Sequence, residues 1–528
     1  MMTPPCEVPA MNSETRWAQI YHEQTKHSYW SVRSTAHPLD WANRPLPYKL
    51  YETLEPIPLP RRPGPETAAL DAVVMDEGQA IPSPGLTLDN LAQVLYFSNG
   101  LTRVIHRHGG SYAFRAASCT GALYHIELYV VTGDLPGLPA GLYHYGAHDH
   151  ALRRVREGDF RAEITAAAAD EPHTARAPAV VICTDTFWRN NWKYRSRAYR
   201  HSGWDTGVIL ANLLATAAGV HLPARVICGF ADEEVNRLLS VDGAREAAVA
   251  LVALGRDEQV IDAERPLVSL HRLDLPTTPL SRTEVEYPLI REIHSASSLS
   301  LEEVPTWRGA SPARPEPSAS GRLFPLAPVP DGHAPRDPLD AVIERRGSSR
   351  RFTHEPITFG NLSTILVRST RSIPADFLEP SGTMLNDVYI IVSAVDGLPA
   401  GAYVHHRDAQ VLEQLREGEF RDQAGYLALE QALARDAAVN IYYLAALGPI
   451  LERFGNRGYR AVQLEAGILG GKVYLLSYAL GVGATGLTFY DDEVTKFFSP
   501  HAAGKSVIFL MAVGHSGAAR RAVRAARP

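Results

Sequence analysis

An internal repeat is the feature that most constrains how this chain can fold. The sequence Gly-Leu-Pro-Ala-Gly at residues 137–141 recurs at 397–401, an offset of 397 − 137 = 260 residues. Arg-Glu-Gly-Asp-Phe-Arg at 156–161 returns as Arg-Glu-Gly-Glu-Phe-Arg at 416–421, with the same offset of 260 residues. A register that is kept over such distances predicts a duplicated domain.

Composition divides the chain around the two copies. We predict an N-terminal arm at 1–65, a first domain at 66–264, a linker at 265–335 and a second domain at 336–528. The linker is rich in Pro, Ser and Thr, so it should run over the surface and contribute little to a core. The arm is rich in Pro and holds several aromatic residues, which predicts an extended segment packed on the domains.

Each copy is typical of a mixed α+β domain. Runs of β-branched and aromatic residues, such as 127–131 and 388–392, predict short strands. The stretches 199–218 and 459–480 are long and rich in small residues, which predicts two deeply buried helices. Because glycines on both stretches permit close approach, we expect these helices to pack together and form much of the contact between the copies.

Composition argues against several classes of protein. The 528 residues carry a net charge of −6 and no dense basic block, so nucleic-acid binding is not expected. The four cysteines form no Cys-x-x-Cys pair, and His106, His108 and His125 lack the spacing of ligands with a carboxylate, so no metal is predicted. With neither a signal peptide nor an apolar run of roughly 18 residues, a cytoplasmic protein without membrane contact is expected.

A basic turn opens the second copy. Residues 340–346 read as a helix, and Arg346, Ser348 and Arg350 follow the spacing Arg-x-Ser-x-Arg. Two guanidinium groups and a hydroxyl on one side of a turn are the donors that a phosphate dianion requires. A solvated basic turn is the other interpretation of the same residues.

Several segments together resemble the nitroreductase superfamily, and within it the SagB/ThcOx group of FMN-dependent dehydrogenases. The flavin-phosphate motif of the family is matched by 346–352, and its Pro-Ser-x-Gly segment by 117–124 and 380–383. The Lys-Tyr-x-x-Arg-x-Tyr-Arg motif is matched by 193–200, and the arm resembles the same group at 21–41. The resemblance covers nearly the whole chain except the linker and implies two tandem nitroreductase-like domains.

Family members are mostly homodimers with flavin at the subunit interface, so the resemblance implies an intramolecular pseudo-dimer here. The first copy has lost the phosphate motif and carries Asp76 and Glu77 in its place, which would repel a phosphate. The second copy has Arg453 and Phe454 where the first keeps the Lys-Tyr pair. The complementary losses predict one FMN site, with the phosphate held by the second domain and the chemistry presented by the first.

The resemblance also implies the FMN contacts. The expected cofactor-binding residues are Arg346, Ser348, Arg350, Ser118, Cys119, Thr120, Gly121, Gln431, Gly486, Leu487, Thr488, Phe489, His515 and Arg520. The turn at 486–489 would offer backbone N–H groups to the flavin, although an ordinary strand-to-helix turn is an equally good interpretation. Trp188, Trp192 and Trp204 are either core residues or an aromatic wall over the flavin.

Lys193 and Tyr194 are the catalytic residues that the resemblance implies. They would remove a proton while hydride passes to FMN, which oxygen reoxidises, so that an azoline in a peptide or natural product becomes an azole. A lysine acts as a base only where burial or a nearby cation lowers its pKa, and Arg195 and Arg197 are the nearest cations in sequence. A surface lysine beside a packed tyrosine is the alternative.

Two other functions stay open. An NAD(P)H-dependent nitro- or quinone reductase would use the same fold, and a non-catalytic scaffold subunit would have kept it without activity. Expected partners are a small-molecule or peptide substrate and other biosynthetic enzymes. A monomeric pseudo-dimer is expected, and higher oligomers stay open.

Overall fold

A computed structural model describes residues 12–34, 37–74, 85–107, 110–261, 268–312 and 319–517. The elements before residue 262 are α1 (Arg16–Gln24), α2 (Tyr29–Ser34), β1 (Pro56–Pro58), α3 (Ala69–Ala72), α4 (Leu88–Asn99), β2 (Leu101–Arg107), β3 (Gly110–Arg115), β4 (Ile126–Thr132), β5 (Gly141–Gly146), β6 (Ala151–Glu157), α5 (Arg161–Ala167), β7 (Ala179–Thr186), α6 (Phe187–Tyr194), α7 (Ala198–Gly219), β8 (Ala224–Ile227), α8 (Asp232–Leu239) and β9 (Glu246–Leu254). Those after residue 267 are α9 (Pro288–Ala296), α10 (Val304–Trp307), β10 (Arg322–Pro325), α11 (Leu339–Arg345), β11 (Ile357–Thr358), α12 (Phe359–Ser369), β12 (Asp387–Val392), β13 (Val395–Asp396), β14 (Gly401–His406), β15 (Val411–Glu417), α13 (Arg421–Leu427), α14 (Ala432–Asp436), β16 (Val439–Ala445), α15 (Leu447–Phe454), α16 (Arg457–Ala479), β17 (Gly483–Leu487), α17 (Asp491–Phe498) and β18 (Ser506–Gly514). Short 3₁₀ turns lie at Trp41–Asn43, Thr120–Ala122, Thr174–Arg176, Arg195–Arg197 and Asp331–His333.

The two halves contain sheets with the same strand order. The first sheet runs β1-β6-β5-β4-β7-β9-β8, and the second runs β10-β15-β14-β12-β16-β18-β17. Every neighbouring pair in both sheets is antiparallel. The matching order confirms the duplicated α+β fold predicted from the repeat.

The long helices α7 and α16 lie against each other at the centre of the molecule, as predicted. A Cβ atom added to Gly207 would lie 2.5 Å from the backbone of α16, and one added to Gly467 would lie 2.5 Å from the Trp204 carbonyl oxygen of α7. A side chain at either position would therefore clash with backbone. The contact merges the halves into one core, which contains buried residues of both helices and both sheets.

The arm and the linker differ from the extended, surface-lying segments that composition predicts. The arm forms α1 and α2, and Tyr21 of α1 is fully buried with its ring 5.6 Å from the rings of both Tyr199 and Tyr459. The linker forms α9, which buries Ile290 and Ile293. Each segment also supplies an edge strand, β1 or β10, at the same position of its sheet. The arm and the linker are thus structural counterparts, and the repeat extends through them.

Two buried ion clusters show this pseudo-symmetry in detail. At the start of α17, Asp491 receives hydrogen bonds from Arg200 at 2.6 Å and Arg197 at 3.0 Å. At the start of α8, Asp232 receives hydrogen bonds from Arg460 at 2.7 Å and Arg457 at 2.5 Å. In both clusters the arginines of one half bind the aspartate of the other half, so the two clusters join the halves on either side of α7 and α16.

The same arginines also bind the arm and the linker. Arg200 donates to the His22 carbonyl oxygen at 2.8 Å, at the end of α1. Arg460 donates to the His294 carbonyl oxygen at 2.7 Å, at the end of α9. Because α1 and α9 meet equivalent arginines, they are bound to the centre of the fold by equivalent contacts.

Candidate functional site

A cleft of about 420 Å³, here called the interface cleft, lies between the two halves. This volume falls within the range of ordinary small-molecule sites, roughly 300–1,000 Å³. The first half supplies Thr102, Arg103, Ile105, Tyr112, Phe114, Arg115, Ser118, Cys119, Ala122 and Tyr124, and the second supplies Arg346, Gly347, Ser348 and Arg350. The charged groups among these lining residues are all arginines, which suits an anionic group such as a phosphate.

Arg346 connects the two sides of the cleft. Its side chain is buried, and it donates to the carbonyl oxygens of Ala116 at 2.9 Å and Arg115 at 3.2 Å. Its guanidinium group also lies 5.4 Å from the Tyr474 ring. Arg346 therefore fixes the loop of the second half against the backbone of the first, in addition to lining the cleft.

Ser348 and its neighbours are held by a hydroxyl network. Ser348 Oγ lies 3.1 Å from Tyr474 Oη, which also accepts a hydrogen bond from the Gly486 amide at 2.9 Å. Ser349 Oγ lies 2.7 Å from Ser516 Oγ, beyond the end of β18. The basic loop is thus bound to α16, β17 and the segment after β18, and Arg350 extends from it as an exposed side chain.

The loop of the first half that faces these groups is held by Asp205 of α7. Thr120 donates to Asp205 from both its amide, at 2.9 Å, and its hydroxyl, at 2.9 Å. Cys119 Sγ lies 3.2 Å from Asp205 Oδ2, and burial together with Asp205 raises the pKa of this thiol. Gly121 has φ = 65°, in the left-handed region, and an added Cβ would lie 2.8 Å from Tyr194 Oη.

A buried charge chain lies beneath this loop. His125 is fully buried, with Nε2 2.8 Å from Asp205 Oδ2 and Nδ1 2.7 Å from Asp185 Oδ1. Burial disfavours the charged imidazole, but the two carboxylates raise the His125 pKa well above its usual value. An imidazolium between two aspartates therefore fixes Asp205, which in turn fixes the loop at 118–121.

Lys193 and Tyr194 lie at the end of α6, within electrostatic range of the basic loop. Burial, Arg350 and Arg44 lower the Lys193 pKa, which favours the neutral amine that a base requires. Burial, Asp205 and Cys119 raise the Tyr194 pKa, so the tyrosine stays protonated. The cations near Lys193 are thus Arg350 of the other half and Arg44 of the arm, instead of the sequence neighbours Arg195 and Arg197; Arg197 is buried and binds Asp491.

Thr120, Gly121, Lys193 and Tyr194 are not among the lining residues of the interface cleft, and neither are the remaining expected contacts that the structure describes. Phe489 is fully buried, with its ring 6.0 Å from Trp204, and Gly486 already donates to Tyr474. Gln431 precedes α14 and donates to the Ala428 carbonyl oxygen at 2.8 Å. Gly486 and Leu487 are the last two residues of β17 instead of part of a turn, and Thr488 follows the strand. The His515 carbonyl oxygen, after β18, accepts a hydrogen bond from the Thr353 amide at 2.9 Å. Arg520, like Asp76 and Glu77, lies outside the described residues.

The three tryptophans belong to packed regions. Trp188 and Trp192 form a small cluster with Leu123, and Trp192 donates to the Asp40 carbonyl oxygen at 3.1 Å. Trp204 is buried in the main core and donates to Gln463 at 2.6 Å. The three tryptophans are therefore core residues, which is the first of the two interpretations given above, and not an aromatic wall over a flavin.

At the pseudo-symmetric position in the second half, the Lys-Tyr pair is replaced by residues in structural contacts. Arg453 donates to the carbonyl oxygens of Ala310 at 2.9 Å and Arg308 at 2.8 Å, both in the linker. Phe454 is buried with its ring 5.2 Å from Trp307. Neither side chain offers a free base at this position.

Several lining residues were not found by sequence reasoning. Arg103 and Arg115 line the cleft from the β2–β3 hairpin. Tyr124 lines the same wall, and its Oη accepts a hydrogen bond from the Arg115 amide at 3.2 Å. Arg115 Nε is buried without a hydrogen-bond partner among the described residues, which fits a site for an anionic group. The sequence signal that could have indicated these lining residues is the alternation of side chains in β2 and β3, which places arginine and aromatic residues on one face of the hairpin.

Comparisons with known proteins agree with this architecture. The nitroreductase family profile matches residues 82–256 and 343–515, one match in each half. A crystal structure of a nitroreductase-type protein from Anabaena variabilis superposes with a TM-score of 0.76 and 27% identity, covering 95% of this chain and 99% of that one.

Two curated relatives match shorter stretches. A nitroreductase-type protein from Methanocaldococcus jannaschii is 26% identical over 174 residues, 33% of this chain and 83% of the relative. The trifolitoxin-processing protein TfxB of Rhizobium leguminosarum bv. trifolii is 28% identical over 179 residues, 33% of this chain, and the match spans about half of that protein, 48%. Among the described helices, none combines the length and apolar character needed to cross a bilayer. With two family matches that follow the two halves of the fold, the chain belongs to the nitroreductase family as a tandem of two nitroreductase-like domains.

Proposed function

We propose that the chain is an FMN-dependent oxidoreductase with a single composite flavin site in the interface cleft. The observation that carries the proposal is that this cleft joins Arg346, Ser348 and Arg350 of the second half to Ser118 and Cys119 of the first. Arg350 also lies within electrostatic range of Lys193. Arg346, Ser348 and Arg350 would hold the flavin phosphate, and the loop at 118–121 would line the opposite side. A bound FMN would supply the hydride-accepting chemistry, with oxygen as the final electron acceptor.

The residues of the chain would supply the proton chemistry. Lys193, with its lowered pKa, would take a proton from the substrate at Nζ. Tyr194 stays protonated and would orient the substrate by donating from Oη. The three residues Asp205, His125 and Asp185 would keep the loop at 118–121 in place without changing their own protonation.

The proposed substrate is an azoline in a peptide or related natural-product intermediate, oxidised to the azole. The support is the retained Lys193-Tyr194 pair together with the similarity to a relative named as a trifolitoxin-processing protein. Other biosynthetic enzymes would then be partners in the same process. Reduction of nitro compounds or quinones with NAD(P)H is the second candidate, supported by a relative named as a nitroreductase.

Anaerobic reduction of the reconstituted protein tests this choice. An azoline-containing peptide should bleach the flavin absorbance, and the product should be two hydrogen atoms lighter. Bleaching by NADPH with no reaction of azoline compounds would instead support the reductase. Protein that binds no FMN after reconstitution would refute both enzymatic functions.

A further inference from the structure

A second cavity, of about 640 Å³, lies on the second half, away from the interface cleft. We call it the histidine cavity, and its lining includes His405, His406, His501 and Lys505. Nothing in the proposed flavin chemistry uses these residues. They lie near the Pro380–Thr383 segment, which also lines the cavity and is the counterpart of the loop at 118–121 in the first half.

Two lining histidines, His406 and His501, form a compact set of metal-ligand types together with the buried Glu413. Donor atoms of His406, Glu413 and His501 all lie within 4.8 Å of one another. His406 Nε2 lies 2.7 Å from Glu413 Oε2, and Glu413 and His406 are both buried. Two imidazoles and a carboxylate are the ligands of a common type of zinc site that keeps one position open.

His501 is oriented with one nitrogen available. Its Nδ1 lies 2.8 Å from Tyr389 Oη, which also accepts a hydrogen bond from Lys505 Nζ at 2.8 Å. The tyrosine hydroxyl also lies 3.4 Å from the His501 carbonyl oxygen. The Nδ1 side of the ring is thus engaged by Tyr389, whereas Nε2 is buried without a hydrogen-bond partner among the described residues.

The carboxylate is held in a similar way by its surroundings. Glu413 Oε1 accepts hydrogen bonds from the amides of Ser320 at 2.8 Å and Gly321 at 2.7 Å, which leaves Oε2 directed towards His406. Support of this kind from outside the ligands is usual for metal sites, where it fixes orientation. The nearby ammonium of Lys505 is paired with Asp387 at 2.8 Å, so its charge is compensated.

The donor set belongs to the second half alone. At the offset of 260 residues, His406 corresponds to Gly146 and Glu413 to Arg153. Arg153 is paired with Asp149 at 2.6 Å and offers no lone pair to a cation. The repeated scaffold therefore does not by itself require His406 and Glu413.

The other cluster of ligand types, Cys119, His125 and Asp205, is a weaker candidate. Both nitrogens of His125 are bound to carboxylates, and Asp205 is occupied by Thr120.

The geometry points to a zinc site at the histidine cavity, in which His406 Nε2, Glu413 Oε2 and His501 Nε2 bind the ion and the fourth position faces the cavity. Ligand bonds of about 2.0–2.2 Å require His406 and Glu413 to separate slightly from their present hydrogen bond.

Zinc binding to the full chain, after removal of metals with a chelator, tests the proposal. Calorimetry and elemental analysis should give one zinc ion per chain, and cobalt in its place should show the visible absorption of a tetrahedral site. His501→Ala and Glu413→Gln should each weaken zinc binding by more than about 100-fold, and Tyr389→Phe by about 10-fold. Circular dichroism and flavin content of the metal-free variants check that they are folded.

Two matched controls make the result specific. His405→Ala removes a neighbouring imidazole of the same cavity and should leave zinc affinity unchanged, as should Cys119→Ser in the other cluster. The proposal is overturned if the parent protein binds no zinc, if His501→Ala and Glu413→Gln bind it as tightly as the parent, or if Cys119→Ser removes it.

Discussion

The interface cleft and the histidine cavity occupy comparable regions of two halves that share one strand order, yet they present different chemistry. The interface cleft brings Arg346 and Arg350 to Ser118 and Cys119 of the first half. The histidine cavity, beside the corresponding loop of the second half, presents His406 and His501. Duplication preserved the sheets and central helices, whereas the side chains at the two loops diverged.

The Lys-Tyr pair, for which we propose a catalytic role, shows what this divergence does to one pair of equivalent positions. Lys193 lies near Arg350 and has a lowered pKa, whereas its counterpart Arg453 is bound to linker carbonyl oxygens. Tyr194 keeps a hydroxyl beside Gly121, and its counterpart Phe454 packs on Trp307. Equivalent backbone positions thus carry a lysine of lowered pKa and a tyrosine hydroxyl in one half, and structural contacts in the other.

Removal of the base should give the largest effect. Lys193→Ala should lower the rate of substrate oxidation by about 10²–10⁴-fold while FMN stays bound, because proton removal is lost and the phosphate contacts are intact. Arg453→Ala, the matched change in the second half, should leave the rate unchanged. Stopped-flow measurement of flavin reduction compares the two, and full turnover by Lys193→Ala would disprove its role.

The pH dependence of the same step follows from the Lys193 pKa. The rate should rise with pH as Lys193 loses its proton, and the rising limb should lie below the pH expected for an ordinary lysine. Arg350→Gln removes a cation that lowers this pKa, so the limb should move to higher pH. If the rising part of the pH–rate profile lies at the same pH in Arg350→Gln as in the parent protein, Arg350 does not lower the Lys193 pKa.

The two ion clusters offer a stability test of the pseudo-symmetry. Arg197 and Arg200 outweigh the effect of burial and hold the Asp491 pKa at about 2, and Arg457 and Arg460 likewise lower the Asp232 pKa. Asp491→Asn and Asp232→Asn should each lower the free energy of unfolding by about 3–5 kcal/mol, because buried arginines lose their partner.

In the folded protein both carboxylates have pKa values below that of an aspartate in the unfolded chain, which is about 4. Their stabilising contribution is therefore present above that pH and is lost as the pH falls towards about 2 for Asp491. Urea unfolding at neutral and acidic pH measures both effects. Unequal losses of unfolding free energy in the two variants would contradict the equal contributions that the equivalent geometry of the two clusters predicts.

The smallest expected effect concerns the rim of the cleft. Arg350 is exposed, so Arg350→Ala should weaken FMN binding by about 10-fold to 100-fold, the loss of one charge-assisted hydrogen bond. Arg407→Ala, at the histidine cavity, is the matched control and should leave FMN affinity unchanged. Fluorescence titration with FMN gives both values, and equal losses would argue against a single phosphate site.

Much of the fold was predictable because the repeat is explicit. The offset of 260 residues gave the duplication, and the small residues around Gly207 and Gly467 gave the central helix pair. The structural equivalence of arm and linker was missed, since only isolated matches such as His22 with His294 mark it. Pro-rich composition predicts extended chain, but the buried contacts of Tyr21 and Ile293 override that tendency.

The site was predictable only in part, for a geometric reason. The motifs at Arg346 and Lys193 could be read along the chain, but the partner that lowers the Lys193 pKa comes from the other half. Arg195 and Arg197 are closer in sequence, yet the turn between α6 and α7 directs Arg197 towards Asp491. Likewise, the lining arginines Arg103 and Arg115 come from a hairpin without a recognisable motif.

The ratio of flavin to protein tests the central claim most directly. The reconstituted protein, washed free of unbound FMN, should contain one flavin per chain by absorbance and amino-acid analysis. Arg346→Ala should remove it, because Arg346 both lines the cleft and binds the backbone of the first half. Two flavins per chain would contradict the account, because the second half's loop would then also hold a complete site.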